Sequence, residues 1–143
     1  MSAKPDWEFV DTNVLVYAHD RSSGAKHDRA GALIERLWQD QNGCLSLQVL
    51  AEFYVTVTRK VPQPMTPAGA AQIVADLTAW RVHAPGVADL LDTLALQQRY
   101  VISLCDAQVI GSAARLGCAI LWSEDLNTGQ SYAGVRVANP FVA

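Results

Sequence analysis

Apolar positions along the chain recur with two different periods, and the alternation between them predicts an architecture. Phe9 and Val10 read as a short strand, and Thr12 or Asn13 then caps a helix over 14–18. After a loop at 20–24, Ala30, Leu33, Ile34, Leu37 and Trp38 return at three-and-four spacing. Arg29, Glu35, Arg36 and Asp40 are interleaved, which predicts an amphipathic helix over 26–41 stopped by Asn42 and Gly43. A strand over 44–47 enters a helix over 48–61. Pro62, Pro64 and Pro67 break that helix, and Pro67 opens another over 68–77. A strand over 80–84 precedes helices over 87–100 and 106–116, the second ending at Gly117. Strands over 118–122 and 135–137 complete the pattern. Strands alternating with helices predict an α/β fold around a mostly parallel β-sheet flanked by α-helices. No internal repeat appears, and the proline-rich stretch reads as a loop, so residues 1–143 are expected to form a single domain.

Four apolar runs in this pattern each carry one isolated carboxylate. Asp11 is the only charge between Phe9 and Ala18. Glu52 is the only one in "CLSLQVLAEFYVTVT" (44–58), and Asp106 the only one in "YVISLCDAQVIGSAA" (100–114). Glu124 and Asp125 end the apolar "CAILW". Helical spacing puts Glu52 on a face with Gln48, Val49 and Val55, and Asp106 over Val109, Ile110 and Ala113. A buried charge costs several kcal/mol unless it is compensated. Each acid has a bland alternative. Asp11 or Asp106 serves as a helix cap, Glu52 pairs with Arg59 or another arginine, and Asp125 sits in a turn. Together they suggest carboxylates converging at the carboxyl ends of parallel strands, where sites of such folds gather.

Charge and composition alter the picture little. The chain has 14 Asp+Glu against 11 Lys+Arg, a net charge of -3, so no basic field announces a nucleic-acid partner. Without the four candidate acids, 14 − 4 = 10 remain, and the rest of the surface is close to neutral. Cys44, Cys105 and Cys118 form no metal or disulfide pattern and read as small buried hydrophobes in a reducing cytosol. Residues 1–7 lack an apolar signal segment, and no apolar run reaches the roughly 18 residues of a membrane span. A cytoplasmic protein with no membrane partner is expected. Trp38, Trp80 and Trp122 read as core, Glu124 as solvated, and Arg21, Lys26 and Arg29 as a solvated face with some capacity for phosphates.

Carboxylate clusters suit hard divalent cations such as Mg2+ and Mn2+, and such sites commonly serve phosphoryl chemistry. At this point the sequence resembles the PIN-domain nucleases. "FVDTNVLVYA" (9–18) is similar to their opening motif. Glu52 in a mid-chain helix, "SLCDAQVIGSAARLGC" (103–118) and "LWSEDL" (121–126) then follow in the family's order. The chain looks most like the VapC toxins of bacterial toxin–antitoxin pairs. The resemblance implies a PIN fold, an α/β/α sandwich, and a Mg2+- or Mn2+-dependent endoribonuclease. Its four acids fall on Asp11, Glu52, Asp106 and Asp125, with Asn13 and Ser123 as polar neighbours of ligands or phosphate. Cys105 stands where the family commonly has an aromatic residue. The implied partners are an RNA substrate, a VapB-like antitoxin and a second copy in a homodimer.

Two other classes with strand-end aspartates fit less well. Haloacid-dehalogenase-like phosphatases want a second Asp two residues after the first, where this chain has Asn13. Both they and receiver-like signalling modules use a late lysine, and none follows Lys60. The remaining alternatives are a PIN nuclease of RNA processing that is not a toxin, and a PIN fold that binds RNA without cutting it.

Overall fold

The computed structural model of the protein describes residues 6–142; the stretch read above for a leader lies, up to Pro5, outside the described residues. Six strands form one sheet. They are β1 (Glu8–Val10), β2 (Gly43–Ser46), β3 (Arg81–His83), β4 (Ile120–Trp122), β5 (Ser131–Tyr132) and β6 (Val135–Ala138). The order is β3-β2-β1-β4-β6-β5, with every pairing parallel except β5 with β6. The helices α1 (Thr12–His19), α2 (Ala25–Asp40), α3 (Leu47–Arg59), α4 (Pro67–Leu77), α5 (Val87–Tyr100) and α6 (Leu104–Arg115) flank it. The mostly parallel α/β architecture expected from the sequence is therefore the one observed. No described helix is long and apolar enough to cross a membrane.

Burial explains the pattern. β1 lies at the sheet's centre with Phe9 and Val10 fully enclosed, as a strand covered on both faces must be. Ala30, Leu33, Ile34 and Leu37 are the buried stripe of α2. Ser46 caps α3 by accepting from the Val49 N–H, and Thr66 caps α4 just before Pro67. These short polar residues satisfy amide groups that a helix start leaves unpaired.

Several expectations need correction. The cap of α1 is not Thr12 or Asn13 but Asp11, the alternative weighed for that acid, whose carboxylate accepts the Thr12 N–H at 2.7 Å. Helix α6 begins at Leu104, capped by Ser103, so Asp106 sits in its first turn and is no cap. Helix α2 ends before Gln41, which takes the left-handed conformation with φ 55°. Trp38 is 40% exposed, standing edge-on against the buried Trp80 at 5.5 Å. Cys105 is exposed, because the first turn of α6 opens on a cleft, whereas Cys44 and Cys118 are buried as expected. The two-residue strand β5 was not anticipated, being too short to display a period. It turns into β6 through Ala133 and Gly134, both at positive φ, the geometry of a tight hairpin.

Gly43 is demanded by packing. A Cβ there would lie 2.5 Å from the Trp80 ring. Gly43→Ala is expected to destabilise the fold by about 1–3 kcal/mol through overpacking. Thermal melting checks this, and Trp80→Leu in the same chain should recover part of the loss.

Candidate metal centre

Parallel pairing of β1 with β4 brings two distant chain segments side by side. The Asp11 N–H donates to the Trp122 carbonyl at 3.0 Å, extending the ladder one residue past β1. Asp11 thereby stands beside Ser123, whose hydroxyl donates to Asp11 Oδ2 at 2.9 Å and accepts from the Asp125 N–H at 3.2 Å. One buried hydroxyl thus sets both acids. Asp106 arrives from the first turn of α6. Carboxylate oxygens of Asp11, Asp106 and Asp125 all lie within 4.8 Å of one another.

Glu52 lines the same cleft from α3 but stands outside this trio. Its Oε2 accepts from Thr12 Oγ1 at 2.9 Å and its Oε1 from Gln48 Nε2 at 3.0 Å. No described contact joins it to Arg59. Asn13 Nδ2 donates to Asp125 Oδ2 at 3.1 Å. The six residues singled out in the sequence therefore meet at one end of the sheet, with three acids in direct proximity and Glu52 one hydrogen-bonded step away.

Electrostatics sharpen the arrangement. Asp11 is only 8% exposed, and burial pushes its carboxyl up to about 6. Hydrogen bonds from Ser123 and Thr12 oppose the rise, and the charges of Asp125 and Asp106 reinforce it. Asp125 is also raised, by burial and by the charges of Glu124 and Asp106, against Asn13 and Lys26. Glu8, three residues before Asp11, provides the contrast. It is 6% exposed, yet its carboxyl is held below the usual range. Burial is the largest influence and raises it, but hydrogen bonds from Arg36, Trp122 and Asn42 and the Arg36 charge together prevail. Among the described residues, Asp11 has no such cation.

The donor set fits a hard divalent cation. Octahedral Mg2+ with oxygens at about 2.1 Å separates opposite ligands by about 4.2 Å, so oxygens within 4.8 Å need little movement to meet it. Carboxylates of raised pKa without a protein cation are the groups such an ion would relieve.

Two surface expectations change. Glu124 is not solvated: its side chain is 17% exposed, accepting from Tyr17 Oη at 2.7 Å and pairing with Lys26 Nζ at 2.8 Å. Lys26 also lies over the Tyr17 ring, 4.9 Å from its centre, so it is engaged rather than free for phosphates. Thr12, Gln48, Tyr17 and Lys26 hold acids in place, and none was assigned that part from sequence. Only Gln48, four residues before Glu52, gave a spacing signal.

A comparison with curated proteins finds no match. Among solved structures, Mycobacterium tuberculosis VapC20, described as a Sarcin-Ricin loop cleaving toxin, is similar with a TM-score of 0.66 at 22% identity, covering 90% of this chain and 98% of that one. A toxin–antitoxin complex from Klebsiella pneumoniae gives 0.67 at 21%, covering 94% and 98%. FitAcB from Neisseria gonorrhoeae gives 0.61 at 15%, again covering 94% and 98%. These likenesses concern the fold. The sequence model of the PIN domain matches residues 9–130, which is most of the chain, and on that match, together with the sheet and the acid-bearing strand ends, the protein belongs to the PIN domain family.

Proposed function

We propose that this chain, acting as one domain over 1–143, is a Mg2+- or Mn2+-dependent endoribonuclease and the toxin of a VapBC-type pair. The observation that carries the reading is the meeting of Asp11, Asp106 and Asp125 within 4.8 Å, with Asp11 buried and lacking a protein cation. The printed descriptions of the VapC20 toxin and of the toxin–antitoxin complex lend it support, as does membership of the PIN family.

Asp11, Asp106 and Asp125 would hold the ion, with Glu52 joining directly or through water. When bound, the ion supplies positive charge at the phosphate and makes a nearby water more acidic. The chain's own residues do the rest. Ser123 and the Thr12 N–H fix both oxygens of Asp11. Thr12 and Gln48 fix Glu52. Asn13 holds Asp125 Oδ2, leaving Oδ1 without a described hydrogen bond and able to take the proton of the attacking water.

Partners follow the same reading. A VapB-like antitoxin is the expected regulator, in a cytoplasmic setting. For the homodimer, α5 presents Val87, Leu90, Leu91 and Leu94 at intervals of three and four, all exposed, while Thr93 is its one buried residue. Such a stripe needs a partner surface.

Asp11→Asn is expected to abolish RNA cleavage in Mn2+ and to remove growth arrest on induced expression, while the chain still folds, because Asn keeps a capping oxygen. Retained cleavage in this variant would refute the assignment. The pH dependence has a definite sign. A carboxyl raised from 3.8 to about 6 favours the protonated folded state, so stability present below pH 4 is lost as pH rises through 6. The loss amounts to about 3 kcal/mol. Metal-free protein should therefore melt higher at pH 5 than at pH 7.5, Mn2+ should recover the stability lost at pH 7.5, and Asp11→Asn should flatten the pH dependence. Leu91→Glu should turn a dimer into a monomer by light scattering, with the helical circular dichroism of the folded chain retained.

A further inference from the structure

The cleft that holds the acids continues along α3. Glu52, Thr56 and Lys60 all line it, each four residues and one helical turn beyond the last. Lys60 caps the C-terminal end of α3. It is the one basic residue among those lining this cleft, and no described acid pairs with it. Other basic residues without an ion pair among those described, such as Arg21, Arg29, Arg59 and Arg136, do not line this cleft. Lys26 is tied to Glu124, Arg36 to Glu8 and Asp40, and Arg115 to Asp89.

A strand of RNA entering this cleft meets four carboxylates and one ammonium group. From Glu52 to Lys60 the helix rises about 12 Å, more than a single phosphate group spans. With the phosphate being cut held at the acids, Lys60, two turns further along the same cleft, is placed to meet a neighbouring phosphate of the same strand. We propose that Lys60 binds a backbone phosphate adjacent to the bond being cut, setting the register of the strand in the cleft. The proposal rests on the nuclease reading and names how that site holds its substrate. As a contact with phosphate and not with a base, it carries no sequence preference.

The test compares wild type, Lys60→Met and Lys60→Arg in Mn2+ on a mixed-sequence single-stranded RNA and on bis(p-nitrophenyl) phosphate, a diester with one phosphate. Lys60→Met should raise KM for RNA several-fold at low salt, with kcat close to wild type. It should also make the slope of log(kcat/KM) against log salt shallower by about 0.7, one single-strand contact. Hydrolysis of the small diester should not change, and Lys60→Arg should recover the RNA KM. An equal loss on both substrates, or an unchanged RNA KM and salt slope, overturns the role of Lys60 while leaving the nuclease reading intact. A wild type that cuts neither substrate overturns that reading and this inference together.

Discussion

A buried carboxylate with no cation of its own is the constraint around which this protein is arranged. The two ends of β1 make the point. At one end Glu8 is enclosed, and the chain supplies Arg36 at 2.7 Å together with the indole of Trp122 and the amide of Asn42. At the other end Asp11 is enclosed to the same degree and receives one hydroxyl and one amide N–H. A fold selected for stability alone would treat both alike. Leaving Asp11 uncompensated at neutral pH is a cost that proteins tolerate where a ligand completes the set.

Around that deficit the polar contacts are orderly. Ser123 serves Asp11 and Asp125 at once, Thr12 serves Asp11 through its amide and Glu52 through its hydroxyl, and Asn13 serves Asp125. Two consecutive residues of one strand–helix junction, Thr12 and Asn13, thus help orient three acids. Farther out, Tyr17 and Lys26 clamp Glu124, which fixes the loop that carries Asp125. The site is held by short contacts from rigid elements, so little ordering is left to be done when a ligand arrives.

Much of this was legible in the sequence for a physical reason. Buried segments of regular structure must repeat their apolar residues, which is why β1, α2 and α5 could be read to within a residue or two. An acid that breaks such a run must be accounted for, and Asp11, Asp106 and Asp125 announced themselves that way. What escaped was whatever depends on contacts distant along the chain. Glu8 carried no signal of its own, because its partner Arg36 is 28 residues away. Glu124 looked solvated because Tyr17 lies 107 residues before it. Strand β5 exists only because Tyr132 pairs across a turn with Val135 and packs on Tyr100, 5.0 Å between ring centres. No local period encodes that.

The topology also has a temporal side. Asp11 directly follows β1, whereas Ser123, just past the strand that must lie beside β1, comes 112 residues later in the chain. Contacts of such separation close late. Until β4 has paired with β1 the acids lie apart, and their cluster assembles only when the sheet has closed. The sheet order acts as a delay.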